Sequence, residues 1–278
     1  MLEPTAVPFA PWALANAEEA RIADVVTALG DEHAVIAGVT CAFGGLGSWI
    51  NQALSAPRER AYTLDDVEAI AAFFTARGAE PKVVVHPYVD PSLYAALAAA
   101  GFRLAQTEIV LAIDLARERV LEGPPVAGLR IDPVDPTSAR DVDAYVTTAS
   151  RIFFGDAVSS VLVESIRRSV FHPRATTLLA RIDGELAGVA GLERWRFGEH
   201  EHAALFGAAV LPTFRRRGVQ RALFTHRLAL ARASGARFVT VASLPNIGTE
   251  RNALRAGMRL AYVRHELVRP APGLVPSP

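Results

Sequence analysis

The spacing of apolar and polar positions lays out the elements of this chain. Over residues 16–29, Ile22, Val25, Val26 and Leu29 recur at helical spacing, with Glu18 and Glu19 early and Gly30 as a stop, which predicts a helix. Residues 34–43 read as one apolar strand, broken by Gly44-Gly45-Leu46-Gly47. Residues 63–77 read as a second helix: Thr63 can cap it, Asp65 and Asp66 lie where the helix dipole favours acids, and Gly78 ends it. A short buried strand at 82–86, a helix at 91–100 stopped by Gly101, and an extended stretch at 102–115 follow.

The turn at 121–125 (LEGPP) and the fresh start at Gly128 place a domain boundary near 120–126. The expected division is 1–122, 126–268 and a Pro-rich tail at 269–278 without regular structure. In the second half a strand at 129–133 leads to helical segments at 138–152 and 157–170, then to strands at 176–182, 186–195 and 201–211. Asp183-Gly184 between the first two of these is a hairpin signal. A helix at 219–234, a buried strand at 238–243, a helix at 248–256 stopped by Gly257, and a strand at 259–268 complete the pattern. An antiparallel meander feeding alternating strands and helices is a mixed α/β (α+β) class.

One stretch occurs twice. Residues 83–104 and 239–260 align without gaps, with Val83, Val85, Gly101 and Arg103 answering Val239, Val241, Gly257 and Arg259. Both read as strand, turn, helix, Gly, strand, which points to a duplicated domain.

Composition narrows the classes. With 51% hydrophobic and 21% charged residues among 278, the chain can bury a sizeable core. Lys+Arg and Asp+Glu are both 29, so no nucleic-acid or membrane partner is expected. The start of the chain has no basic segment before an apolar one, and no apolar run approaches the ~20 residues of a membrane span. The single cysteine, Cys41, excludes a disulfide framework and a multi-Cys zinc site; it reads as a core residue of a cytoplasmic protein without metal.

The candidate chemistry lies at 208–223. An apolar strand ends at Leu211-Pro212, a basic loop follows, then Gly218 and a long helix. A helix N-terminus offers unpaired N–H groups and a favourable dipole to an anion, and Gly218 lets backbone approach it. Arg215, Arg216, Arg217 and Arg221 supply cations to phosphate oxygens. Neither a Walker loop nor a three-glycine dinucleotide fingerprint is present.

Here the sequence resembles the GCN5-related N-acetyltransferase (GNAT) superfamily over roughly 126–268. The family's Arg/Gln-x-x-Gly-x-Gly/Ala motif, after a strand ending Val-x-Pro, finds Val210, Pro212, Arg215 and Gly218 at matching positions. Its Asn after the next strand and its helix-ending Gly find Asn246 and Gly257-Met258. The resemblance implies two tandem GNAT-like domains, each a mixed, largely antiparallel sheet flanked by helices, the N-terminal copy divergent. It implies that amides of Ala208, Ala209 and Val210 pair with the pantetheine arm of acetyl-CoA or another acyl-CoA, and that amides from Arg216 through Val219 and Gln220 to Arg221 hold its pyrophosphate. Two departures stand out: Gln220 replaces the motif's last Gly/Ala, and Ala253 stands where many members place a Tyr acid.

The implied reaction is direct attack by an amine of a small molecule on the thioester in a ternary complex. Glu193 and His202 are the candidate bases, with His200 and Glu201 beside them, and Ser243 is a candidate for orienting substrate; each also reads as a polar residue near a strand end. The N-terminal copy lacks the Arg-x-x-Gly pattern and has Asp90 at the Asn246 position. It is expected to pack against the other copy and shape an acceptor pocket near Trp49, Phe73, Phe74, Phe153, Phe154 and Trp195. Alternatives are a non-catalytic acyl-CoA-binding module and a protein N-acetyltransferase.

Overall fold

The computed structural model describes residues 11–121, 123–156 and 158–278. The reading of the chain start falls largely on residues 1–10, outside them, as do position 122 of the LEGPP turn and position 157, the expected start of the second helical segment. In chain order the elements are α1 (Pro11–Leu29), β1 (Glu32–Ile36), β2 (Val39–Phe43), β3 (Gln52–Leu54), α2 (Leu64–Thr75), β4 (Lys82–Val85), α3 (Pro91–Ala99), β5 (Arg103–Asp114), β6 (Leu129–Pro133), α4 (Ala139–Phe154), α5 (Ser160–Phe171), β7 (Ala175–Ile182), β8 (Glu185–Phe197), β9 (His200–Val210), α6 (Val219–Ala233), β10 (Phe238–Ser243), α7 (Gly248–Arg255) and β11 (Arg259–Val268). The class is the expected mixed α/β.

Two compact units form: residues up to 109 with 261–278, and residues 110–260. The first unit's strands run in the order β1-β2-β3-β4-β11-β5, so its sheet takes in the last strand of the chain, which the sequence reading grouped with 126–268. α1 lays Val26 and Leu29 on a cluster with Ala42, Leu54 and Val84. Val39, Cys41, Ala53, Val83 and Val85 point to the other face, into a cluster with Val67, Ile70 and Phe74 of α2 and Leu93 and Leu97 of α3. A sheet covered on both faces explains why every residue of β4 is buried. Thr63 caps α2 as expected, and Asp66 completes a capping box with it.

The expected single strand at 34–43 is a hairpin instead. Ile36 pairs with Val39, and Ala37 and Gly38 both take positive φ between them. The apolar flanks conceal this turn from a reading by hydrophobicity. β3 was also not anticipated; its three residues give no periodicity. The tail lacks regular structure, as expected, yet it is fastened: Val275 bridges Ala79, and the Lys82 ammonium donates to the Pro278 carbonyl at 2.9 Å.

In the second unit the order is β5-β10-β9-β8-β7-β6. Asp183 and Gly184, both at positive φ, form the two-residue turn of the β7–β8 hairpin, with Ile182 paired to Glu185. Leu179, Val189 and Ala209 face α4 and α5. Ala180, Ala190 and Val210 face α6 through Val219 and Leu223. The repeat is realised in three dimensions: β4, α3 and β5 recur as β10, α7 and β11, with Arg103 and Arg259 opening the two last strands.

Candidate functional site

β9 positions the candidate site. It pairs in parallel with β10 only from His202↔Phe238 to Leu205↔Val241, while its antiparallel pairing with β8 continues to Val210. Past Leu205 the two parallel strands part, and one edge of β9 carries backbone groups without a strand partner. Ala208, Ala209 and Val210 lie on this stretch.

A bulge marks the parting. From Val189↔Ala209 to Gly191↔Phe206, β8 advances two residues and β9 three, so β9 carries one extra residue at Gly207-Ala208. Gly207 has φ +58 and no Cβ; a Cβ there would lie 3.0 Å from the Tyr145 hydroxyl. From α6, the fully buried Arg227 donates to the Gly191 carbonyl at 3.0 Å and the Phe206 carbonyl at 3.2 Å, which flank the bulge. Its Nε donates to the Leu223 carbonyl at 3.1 Å. Burial lowers its pKa to about 10, and the neighbouring Tyr145 opposes that shift. Burial raises the Tyr145 phenol, with Arg227 as the smaller, opposing influence.

Beyond Val210 the chain makes a short 3-10 turn at Pro212–Phe214 and enters the basic loop. Arg216 takes φ +63 and Gly218 φ +86, on either side of Arg217. Gly218 caps α6 with no side-chain hydrogen bond, so the first-turn N–H groups of Val219 and Gln220 are left to whatever binds there. Arg215, Arg216 and Arg217 are exposed; Arg215 donates to the Val210 carbonyl at 3.3 Å and the Arg217 guanidinium lies 5.1 Å from the Phe214 ring. Arg221 lies on the next turn, partly buried. Asn246 is exposed at φ +63 in the loop before α7, its amide donating to Glu250. The Gln220 side chain reaches that loop's end, 3.7 Å from where a Gly248 Cβ would be. Strand edge, basic loop and Asn246 loop thus meet at the N-terminal ends of α6 and α7.

The base candidates sit apart from this convergence. Glu193 is buried opposite Ala204 and ion-paired with Arg174 at 3.1 Å. His202 is stacked on Phe238 and ringed by Trp195 and Phe197, three residues or about 10 Å before the strands part. His200 meets Arg237 at 3.2 Å, Glu201 lies 3.9 Å from Arg196, and Ser243 donates to its neighbour's carbonyl. Phe74 is core, Phe73 is buried beside it, Trp49 packs on the other cluster of its unit, and Phe153 is exposed. Asp90 caps α3 by accepting from the Ser92 N–H at 2.9 Å. Tyr145, Gly207 and Arg227 escaped the sequence reading. Their one signal is an arginine on the apolar stripe Leu223, Phe224, Leu228, Ala231 of α6.

Residues 144–258, which contain the parted strands and the loop, match the Acetyltransferase (GNAT) family. This stretch is a GNAT domain. A search of curated proteins finds no match. Among solved structures, a GCN5-related N-acetyltransferase from Kribbella flavida is similar at 19% identity and TM-score 0.69, covering 91% of this chain and 96% of that one. A tandem GNAT protein from the clavulanic acid biosynthesis pathway is similar at 16% identity and TM-score 0.61, covering 84% and 78%. A GCN5-related N-acetyltransferase from Sphaerobacter thermophilus follows at 19% identity and 0.56, covering 78% and 71%. These likenesses are likenesses of fold, and the first two span far more of the chain than the GNAT domain alone. No helix among the described residues is long and apolar enough to cross a membrane, and no metal-binding group gathers among them.

Proposed function

We propose that this protein is a cytoplasmic N-acyltransferase that takes the acyl group of acetyl-CoA, or a related acyl-CoA, to an amine of a small molecule. The observation that carries the reading is the continuity of the unpaired β9 edge with the basic loop and the start of α6. A pantetheine arm is a chain of amides that a strand edge can pair, and a pyrophosphate is an anion that a helix N-terminus with arginines can hold.

In this reading Ala208, Ala209 and Val210 present backbone groups to the amide-bearing arm. Gly218, Val219 and Gln220 present amides to the phosphates, Arg215, Arg216, Arg217 and Arg221 neutralise them, and Asn246 borders the same space. Backbone N–H groups at the bulge polarise the thioester carbonyl. The amine attacks the carbonyl carbon, the C–N bond forms as the C–S bond breaks, and the amine's surplus proton leaves through water. Glu193 and His202 serve better as packing and ion-pair residues than as the base, because each is buried and engaged.

The test is calorimetric titration with acetyl-CoA, beside a folded Arg217→Glu, Gly218→Asp variant. Saturable one-site binding by the wild type, weakened at least tenfold in the variant, is expected. No binding by the wild type, with longer acyl-CoAs included, would end the reading. Thiol release on adding amines separates an enzyme from a non-catalytic acyl-CoA-binding module.

A further inference from the structure

Ala253 lies fully buried in α7 where a family tyrosine is often found, so the GNAT domain lacks that hydroxyl. A different tyrosine stands at the bulge. Tyr145 comes from α4, on the sheet face opposite α6, and packs with Val189 and Ala209, the strand pair that borders one side of the bulge. Its side chain is 1% exposed, and its hydroxyl makes no hydrogen bond among the described residues. A phenol O–H without a protein acceptor is left to water or to a ligand.

The hydroxyl is aimed. It lies 3.0 Å from the space a Cβ would take at Gly207, and only glycine leaves that space open. Arg227 approaches the same point from α6, its guanidinium on the carbonyls of Gly191 and Phe206. Gly191 is also bare: a Cβ there would lie 2.3 Å from the Phe206 ring. Two glycines thus thin the sheet where it bulges, and a buried phenol and a buried cation meet there from opposite faces.

Resting on the function proposed above, we propose that Tyr145 is a catalytic hydrogen-bond donor to the thioester carbonyl oxygen, with Arg227 as the positioning residue that holds the bulge beneath it. As the amine attacks, negative charge grows on that oxygen, and a fixed O–H beside a cation stabilises it more than it stabilises the ground state. Burial keeps the phenol protonated across the neutral range, as a donor requires. The hydroxyl keeps its proton throughout: the C–N bond forms, the C–S bond breaks, the thiolate leaves, and the proton given up by the amine passes through water to the sulfur.

The test uses acetyl-CoA carrying carbon-13 at the carbonyl, bound to the full chain and to Tyr145→Phe. The variant removes one oxygen that supports no hydrogen bond in the fold, so its melting temperature should match the wild type. We expect equal affinity within about threefold, a carbonyl resonance shifted downfield from free acetyl-CoA in the wild type, and a clearly smaller shift in the variant. With an amine acceptor, kcat should fall about 100-fold with KM little changed, the loss typical of one oxyanion donor. Gly207→Ala, which crowds the hydroxyl, should reduce the shift as well. An identical resonance in wild type and Tyr145→Phe, both with acetyl-CoA bound, overturns this inference alone. Failure of the wild type to bind acetyl-CoA overturns it together with the reading on which it rests.

Discussion

At the scale of single residues, burial decides what each titratable group does. His86 is 2% exposed at the end of β4, its Nδ1 accepting from the Tyr88 N–H, and burial lowers its pKa to about 4. The unfolded chain holds that proton below about pH 6.5, so between pH 6.5 and 4 the unfolded state binds more protons than the folded one. Stability is therefore full above pH 6.5 and falls as the pH drops toward 4, by at most about 1.4 kcal/mol per pH unit from this group. Tyr88 and Tyr262 flank the ring, and Tyr262 donates to Glu19. Burial raises the Glu19 carboxyl, so its protonation favours the folded state and works against His86. Urea midpoints of wild type and His86→Gln over pH 4–7 separate the two: the wild type should lose stability more steeply toward acid, and parallel curves would refute the assignment. Cys41 was readable as core because small apolar neighbours surround it, and burial pushes its thiol up to about 12. Tyr145 was not readable, because on the apolar face of α4 it looks like any packing residue.

At the scale of elements, the hairpin turn at Asp183-Gly184, the Thr63 cap of α2 and the glycines that end helices were legible, since each is local stereochemistry. The bulge of β9 was not. It is a mismatch between two strands, and only the pairing of Val189 with Ala209 and Gly191 with Phe206 exposes it. Arg227 ties α6 to that mismatch through two carbonyls, those of Gly191 and Phe206. Arg227→Met would leave the carbonyls of Gly191 and Phe206 without this donor, at about 1–3 kcal/mol for an unmet buried group, offset in part by no longer burying a cation. A net loss of about 2 kcal/mol is expected as a lower urea midpoint with unchanged slope. A midpoint at or above wild type would mean that desolvation of the guanidinium outweighs its hydrogen bonds.

At the scale of the whole molecule, the repeat pointed to two copies but not to how their strands pair. β5 and β11 open alike and end their copies alike, so local pattern assigns each to the half that precedes it. Strand pairing is a long-range choice, and here β11 lies between β4 and β5 in the first unit. His265 to Val268 pair with Val85 to Lys82, and Arg264 binds Glu108 at 2.7 Å and Glu19 at 3.5 Å. Deleting 261–278 would open the edge of β4 and leave Glu19 and Glu108 without their buried cation, a loss of several kcal/mol for such a pair. The damage should fall on the first unit, because none of the removed residues belongs to 110–260. Limited proteolysis of the shortened chain should cut first within 11–109 while the GNAT domain stays protected. Early cleavage within 126–260 would instead show that β11 stabilises the domain it follows in sequence, as a division at 126–268 requires.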